Sequence, residues 1–371
     1  MNPKLQKAIA ILNDPGMIGI VTRHFQNLEQ VYTGALPERP FGLTGVWGTA
    51  TSNPFTHPED CITEQLISLA GVELDKLRNR AVFRPGITGV GLYGVHFMDA
   101  LLGAEVFDLD GTGNWQVHTL TSPVGSLQFP QWEKHPAWRA AARAAECFVA
   151  CGAKSVVFES PCISSPLNIA INLYGQEFLI ALMEDPAAAH RDLRVITDLM
   201  IAIHSWYLKR VPLRQRQVAA IARVQPGGYG HLCGCSATML SLESYRDFIV
   251  PYEREVLRLF PRGGMMHLCG YYTQLIPAWA AFKELKVLQV NDDASAELPD
   301  YYRKLPNDKT FYNLECSQMP WWQAEQLTGG YRIVHTCATT TAEAWCREFA
   351  AAAEAGEIET LRTQKFTAPT Q

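Results

Sequence analysis

The residues best suited to chemistry are a histidine and a cysteine that close an apolar segment. His267 and Cys269 end the run Gly-Gly-Met-Met-His-Leu-Cys-Gly (residues 263–270), and Cys337 ends a second apolar run, 331–337. Side chains alternate faces along a strand, so His267 and Cys269 project to the same side. One imidazole and two thiolates suit zinc and leave a fourth ligand position open. We therefore predict a zinc site made of His267, Cys269 and Cys337.

This ligand set favours alkyl transfer over hydrolysis. Two thiolates nearly neutralise the ion, which then activates water poorly but can bind a thiol in its deprotonated, electron-rich form. Such a sulfur can attack carbon at neutral pH. Hydrolysis would need a general base, for which Asp292 and Glu315 are the catalytic candidates. Both carboxylates could equally be hydrogen-bond anchors at strand ends.

Further polar and aromatic residues near predicted strand ends are candidates for substrate binding: Trp47, Glu159, Tyr229, His231 and Asn291. The aromatic members are compatible with an apolar substrate and equally with ordinary packing. The segment His-Leu-Cys-Gly-Cys (231–235) could form a second metal site or supply an alternative ligand, although its spacing fixes no partner.

A glycine string, Gly-Val-Gly-Leu-Tyr-Gly (89–94), matches the pattern of dinucleotide sites, with Asp108 at about the distance of a ribose-binding acid. The preceding Arg-Pro-Gly-Ile-Thr (84–88) does not resemble the end of a buried strand. A nicotinamide site is therefore disfavoured.

Short apolar runs alternate with amphipathic stretches and must position these residues. Predicted strands are 42–47, 104–109, 155–159, 219–225, 264–269, 286–291, 310–314 and 331–336; predicted helices include 136–151, 166–183, 186–209, 242–260 and 341–353. Alternation of this kind is typical of an α/β protein with parallel strands covered by helices. Eight units favour a closed (β/α)8 TIM barrel with its active site at the carboxyl ends of the strands.

Composition limits the classes of partner. The 371 residues are 47% hydrophobic and 19% charged, a globular balance, and the net charge of −5 gives no signature of nucleic-acid binding. No stretch is apolar enough for a membrane span, and ten cysteines without an export signal predict a cytoplasmic protein. We expect an N-terminal helix and arm (1–40), one barrel domain (41–366) and a flexible tail (367–371), and leave the oligomeric state open.

Three segments resemble the uroporphyrinogen decarboxylase superfamily and, within it, the cobalamin-dependent methyltransferases. They are Tyr-Gly-Val-His-Phe-Met-Asp-Ala-Leu-Leu-Gly-Ala-Glu-Val (93–106), Pro-Leu-Asn-Ile-Ala-Ile-Asn-Leu-Tyr-Gly-Gln-Glu-Phe (166–178) and Leu-Glu-Ser-Tyr-Arg-Asp-Phe-Ile-Val-Pro-Tyr (242–252). His267, Cys269 and Cys337 match the zinc ligands of these methyltransferases in type and order.

The resemblance implies a (β/α)8 barrel whose Zn²⁺ serves methyl transfer between a small-molecule methyl donor or thiol acceptor and cobalamin. The chain has no Asp-x-His-x-x-Gly signature for cobalamin attachment, so a separate corrinoid protein is the expected partner. Residues 47–54, Trp-Gly-Thr-Ala-Thr-Ser-Asn-Pro, supply no cation for a porphyrinogen, which argues against that decarboxylation. Two alternatives stay open: a corrinoid-independent zinc lyase, hydrolase or decarboxylase on the same barrel, and a non-catalytic binding protein.

Overall fold

The computed structural model describes residues 2–35, 42–43, 45–72, 82–83, 85–216, 224–314 and 318–336, together with 351, 355–357 and 360. Its strands are β1 (Gly42–Leu43), β2 (Val46–Trp47), β3 (Val82–Phe83), β4 (Gly86–Gly89), β5 (Val106–Asp108), β6 (Trp115–Val117), β7 (Val156–Glu159), β8 (Gly230–Cys233), β9 (Gly264–Leu268), β10 (Leu285–Val290), β11 (Thr310–Leu314) and β12 (Ile333–Thr336).

The α-helices in these ranges are Pro3–Leu12, Pro15–Tyr32, Pro58–Leu69, Phe97–Leu101, Pro136–Cys151, Pro166–Tyr174, Gln176–Glu184, Pro186–Arg210, Leu242–Ser244, Val250–Leu257, Ile276–Ala281, Asp292–Ala296, Leu298–Lys304 and Trp321–Thr328. Short 3₁₀ turns at Gly94–His96, Trp132–Lys134, Leu213–Gln215, Cys235–Met239 and Thr273–Leu275, and a π-helical turn at Tyr245–Ile249, complete the elements. None of the helices in this part of the chain has the length and apolar character needed to cross a membrane.

The strands form two parallel sheets and one antiparallel pair. The larger sheet has the order β3-β1-β12-β11-β10-β9-β8, the smaller has the order β2-β4-β7, and β5 pairs with β6. The segments 42–47 and 82–89 each contribute one strand to either sheet. Within the described ranges β7 and β8 share no ladder, so the predicted closed barrel is not found there, whereas the predicted parallel α/β class is confirmed.

One of the predicted strands is corrected. The run 104–109 contributes β5, which belongs to the antiparallel pair, because the Asp108 carboxylate accepts bonds from the backbone N–H groups of Gly111 and Gly113 and closes a tight loop. Its place in the parallel arrangement is taken by β3 and β4. Residues 219–223 of the predicted strand 219–225 lie outside the described ranges, so that strand stays a prediction, and β8 follows it as a further strand.

The glycine string at 89–94 therefore does follow a buried strand, β4. A Cβ at Gly89 would lie 2.6 Å from the backbone oxygen of Glu159, so this glycine allows β4 and β7 to approach closely. Asp108 is already bonded within its own hairpin. The string thus has a packing role, and a nicotinamide site remains disfavoured.

One face of helix Pro15–Tyr32 packs against the inner faces of both sheets. Its side chains Phe25, Leu28 and Val31 share one buried cluster with inward residues of six strands, Ile87, Val157, Met265, Val287, Tyr312 and Val334. Both sheets therefore face the same core. Because side chains alternate along a strand, the residues two positions further on, among them Glu159, His267 and Gln289, face the same interior near the carboxyl ends of the strands.

Candidate metal centre

Three potential ligands meet at the carboxyl ends of β8 and β9. The ligand atoms of Cys233, Cys235 and His267 all lie within 4.8 Å of one another, and the two sulfurs are 3.4 Å apart. Cys233 and His267 are register partners in the parallel pair β8–β9, which places both side chains on the same face. Cys235 begins the following 3₁₀ turn. This Cys₂His cluster is chemically suited to a metal such as zinc.

His267 is held in a defined orientation by the neighbouring strand. Its Nδ1 lies 2.8 Å from Oε1 of Gln289, its register partner on β10, and both side chains are buried. Nε2 of Gln289 donates to Oδ1 of Asn291 at 2.9 Å, which orients the amide so that its oxygen faces the imidazole. With Nδ1–H donated to this oxygen, the Nε2 lone pair of His267 is available to a metal.

Cys269 is a third thiol, beside this cluster. Its pKa is raised to about 12, chiefly by a hydrogen bond with Cys235, while contact with His267 acts in the opposite direction. The buried Tyr272 ties the two cysteine-bearing segments together. Its hydroxyl donates to the Cys235 carbonyl at 3.2 Å and accepts from the Cys269 backbone N–H at 3.4 Å. The position of Cys269 therefore depends on that of Cys235.

The chain between the first two cysteines is tightly constrained. A Cβ at Gly234 would lie 2.9 Å from Sδ of Met266, so a larger residue would push the segment off the sheet. From the other side, Ser165 Oγ donates to the Cys233 carbonyl at 2.5 Å, and Asn168 Oδ1 accepts the Ser236 N–H at 2.9 Å. The start of helix Pro166–Tyr174 thus supports the cluster.

The predicted ligand set His267, Cys269 and Cys337 is brought together only in part. His267 belongs to the cluster and Cys269 contacts it, whereas Cys337 lies outside the described residues. Sequence reasoning gave Cys233 and Cys235 only as alternatives. The signal for them was the repeat of His-Leu-Cys-Gly at 231–234 and 267–270, which lies on adjacent strands.

Of the two catalytic candidates, only Asp292 is described by the structure. Glu315 lies outside the described residues. Asp292 is exposed, has a left-handed backbone with φ of 44°, and begins helix Asp292–Ala296, where its carbonyl accepts a 2.6 Å bond from Ser295 Oγ. The geometry shows Asp292 as a turn residue, and its catalytic role stays a prediction.

The substrate-binding candidates lie at different heights along the strands. Trp47 is 41% exposed at the end of β2, Glu159 ends β7, and Asn291 orients Gln289. His231 is buried one layer below the cluster, since its register partner is the inner-core residue Met265.

Tyr229 precedes β8 and so lies at the amino edge of the sheet, at the opposite end of the strand from Cys233. Its ring meets Tyr32 edge-on at 4.9 Å, and the guanidinium of Arg262 lies 4.9 Å from its centroid. The sequence predicted that a strand would end, rather than begin, near this residue, and the role of Tyr229 in substrate binding stays a prediction. Its position gives no support to a role in substrate binding beside the cysteines.

An imidazole–carboxylate pair at the carboxyl edge, with a half-buried imidazole and a buried carboxylate, was not anticipated. His96, which follows β4, places Nδ1 2.7 Å from Oδ2 of the fully buried Asp99, and Asn172 Nδ2 donates to the same oxygen at 2.8 Å. Burial raises the pKa of Asp99, against the opposing effect of His96. Asn172 follows Asn168 by one helical turn, so a single helix contacts both this pair and the cysteine segment. Such a pair can take up a proton.

No protein-family model matches the sequence, and no curated protein is similar to it in sequence. Among solved structures, a methyltransferase from Methanosarcina mazei matches with a TM-score of 0.61 and 12% identity, over 88% of this chain and 99% of that one. Likeness at this identity shows the fold alone, and membership of the uroporphyrinogen decarboxylase superfamily stays a prediction. The chain is an α/β protein with parallel sheets that shares its fold with a known methyltransferase and has a Cys-Cys-His cluster able to hold a metal.

Proposed function

We propose that the protein is a zinc-dependent methyltransferase that moves a methyl group between a small molecule or thiol and cobalamin carried by a separate corrinoid protein. The observation that carries this proposal is the Cys233–Cys235–His267 cluster, at the carboxyl edge of the strands in a fold shared with a methyltransferase. The corrinoid partner is proposed from the sequence resemblance alone.

We assign the ligands as Cys233, Cys235 and His267, because their ligand atoms already lie together. Zinc held by these groups would bind a thiol substrate in deprotonated form and keep its sulfur nucleophilic. The protein's own contribution is positional. Gln289 fixes the tautomer and angle of the imidazole, and Tyr272 holds the Cys235 and Cys269 segments at a constant separation.

Zinc content of single alanine variants distinguishes this ligand set from the predicted one, which shares only His267. Replacement of Cys233, Cys235 or His267 should abolish stoichiometric zinc, measured by elemental analysis of the purified protein. Cys151→Ala, a helix thiol remote in sequence from both sets, is the matched control and should keep full occupancy. Full zinc in Cys233→Ala and Cys235→Ala, with loss in Cys269→Ala and Cys337→Ala, would instead establish the predicted set.

Methyl transfer itself is tested with free methylcobalamin. The absorption spectrum of methylcobalamin should change when the zinc-loaded protein and a thiol such as coenzyme M are added together, and should not change with His267→Ala. A spectrum that stays constant over a panel of thiols and methoxylated small molecules, with zinc bound at full occupancy, would contradict the proposed reaction.

A second candidate function, a corrinoid-independent zinc lyase or hydrolase, is favoured by the His96–Asp99 pair. An imidazole whose Nδ1 is bonded to a buried carboxylate is the arrangement of a general base, which metal-assisted hydrolysis requires. This alternative predicts that His96→Gln abolishes turnover while leaving zinc bound. It also predicts no change in the methylcobalamin spectrum.

A further inference from the structure

A cavity of about 260 Å³ lies between β7 and β8, the two strands that share no ladder in the described ranges. Much of its wall is apolar, formed by Phe158, Leu208, Val211, Leu213, Phe260 and Pro261. His231 also lines it, two residues before the metal-centre cysteine of the same strand. The cavity is large enough for a small organic molecule and is not part of the cluster described above.

Several polar atoms enclosed here have no hydrogen-bond partner in the described part of the chain. They are Nε and Nη1 of Arg216, the hydroxyl of Tyr207 and Nε2 of His204. Tyr207 is only 5% exposed, and His204 lies one turn earlier on the same helix, Pro186–Arg210. Buried polar groups are almost always bonded, so four such atoms around one cavity indicate a missing partner.

The charge of that partner follows from the lining residues. Arg216 is the one Lys, Arg, Asp or Glu among the described residues that line the cavity, so its charge has no carboxylate opposite it there. Burial lowers the pKa of His204 to about 4, so that imidazole is neutral near pH 7 and adds no second charge. An enclosed guanidinium nitrogen without an acceptor is costly, and a carboxylate would satisfy it with charge-assisted hydrogen bonds.

We propose that this cavity binds a small monocarboxylate with an apolar body. The carboxylate accepts hydrogen bonds from Arg216 and Tyr207, and the apolar body packs against Phe158 and Phe260. A single cation balances one negative charge, and the surrounding hydrocarbon disfavours a doubly charged, fully hydrated anion such as phosphate. The site is independent of the metal and of the methyl-transfer proposal, and it can be tested with or without zinc.

The test is calorimetric titration of the full chain at neutral pH with benzoate and hexanoate, and with their neutral counterparts benzamide and hexanamide. A carboxylate should bind at least tenfold more tightly than its amide, the loss expected when a charge-assisted bond is removed. Arg216→Gln should remove that preference, and Tyr207→Phe should weaken carboxylate binding. Arg214→Gln, an exposed arginine two residues away, should bind as the wild type does.

Three results would overturn the proposal: equal affinity for acid and amide, equal loss in Arg214→Gln, or tighter binding of inorganic phosphate than of either acid. A thermal melt separates binding from folding. Without ligand, Arg216→Gln should melt at or above the wild-type temperature, because it removes an enclosed charge that has no partner. A lower melting temperature together with lost binding would show that Arg216 is structural, which also contradicts the proposal.

Discussion

Strand register decides which residues share the metal centre. Sequence alternation showed that His267 and Cys269 face the same way, but alternation says nothing about which residue of the neighbouring strand lies beside them. The pairing of Cys233 with His267 comes from the β8–β9 register and places a thiol of one strand beside the imidazole of the next. The Gln289 partner of His267 comes from register in the same way.

Gln289 is expected to set the metal affinity without touching the metal. Gln289→Leu removes the acceptor of the His267 Nδ1–H, so the imidazole loses its fixed tautomer and angle. Zinc affinity should fall by roughly 10–100-fold, measured by competition with a chromophoric chelator. Gln289→Glu keeps an acceptor and should retain most of the affinity; an unchanged affinity in the leucine variant would rule out this supporting role.

Tyr272 is expected to matter for both stability and metal binding. Tyr272→Phe removes the hydroxyl that bridges the Cys235 and Cys269 segments, leaving a buried carbonyl with one acceptor bond fewer. The free energy of unfolding should fall by about 1–3 kcal/mol, measured by urea denaturation, with a parallel loss of zinc affinity. The matched control is Tyr271→Phe, because Tyr271 is exposed; an equal effect in both variants would refute the bridging argument.

At the level of elements, helices with terminal signals were predicted well and irregular ones were not. The prediction 136–151 coincides with helix Pro136–Cys151, which starts with a proline and ends at Gly152 with φ of 68°. The predicted helix 166–183 is broken at Gly175, whose φ is 60°. The predicted helix 242–260 contains the π-helical turn Tyr245–Ile249, and Pro251, just after this turn, lacks the N–H needed for a regular bond.

The missed strands have a common cause. β3 and β4 are separated by Arg84-Pro85, and this interruption hid two short runs whose periodicity is too brief to recognise. β8 was not predicted either, and glycines at 227, 228 and 230 lie just before it and at its start. The length of a strand and the tolerance of glycine inside a buried sheet depend on which residues pack beside the strand. The sequence alone does not say which residues those are.

Gly234 should be intolerant of even a methyl group. Gly234→Ala places a Cβ against Met266 and Leu268, so either the sheet or the cysteine turn must move. We expect a loss of about 1–3 kcal/mol in the free energy of unfolding, and weaker zinc binding. Gly91→Ala, where a Cβ meets nothing within 4 Å, is the control and should change neither quantity; a silent Gly234→Ala would show that the turn adapts freely.

At the scale of the whole molecule, the two sheets face one common core, to which helix Pro15–Tyr32 contributes one face. The class of fold was predictable because alternating strand and helix patterns admit few arrangements. Closure was not predictable, since it depends on whether β7 and β8 pair at their edges. The large outer core adds buried polar groups that composition does not reveal, among them Glu253.

Glu253 should give the protein a measurable pH dependence. Tyr245 donates a 2.6 Å hydrogen bond to its carboxyl group, and burial raises the pKa of Glu253 from 4.5 to about 7. Because the pKa of Glu253 is higher in the folded state, its protonated carboxyl group contributes fully to the free energy of unfolding below pH 4.5. This contribution is lost as the pH rises through 7. The loss should amount to about 3 kcal/mol.

Urea denaturation at several pH values tests this expectation. Wild-type stability should decline between pH 4.5 and 8 relative to Glu253→Gln, which cannot ionise, and the exposed Glu243→Gln should follow the wild type. Parallel curves for wild type and Glu253→Gln would mean that Glu253 ionises as readily in the folded chain as in the unfolded one.

Helix Pro15–Tyr32 also limits the directions from which reactants can reach the candidate metal centre. It covers the amino end of the strands, with the Tyr32 hydroxyl 3.0 Å from that of Tyr312, whereas the candidate metal centre lies at their carboxyl ends. Both reactants of a methyl transfer would therefore approach from the carboxyl side, and direct transfer between them needs both to be bound at once. The kinetics of such a protein should then be sequential, with intersecting lines in a double-reciprocal plot.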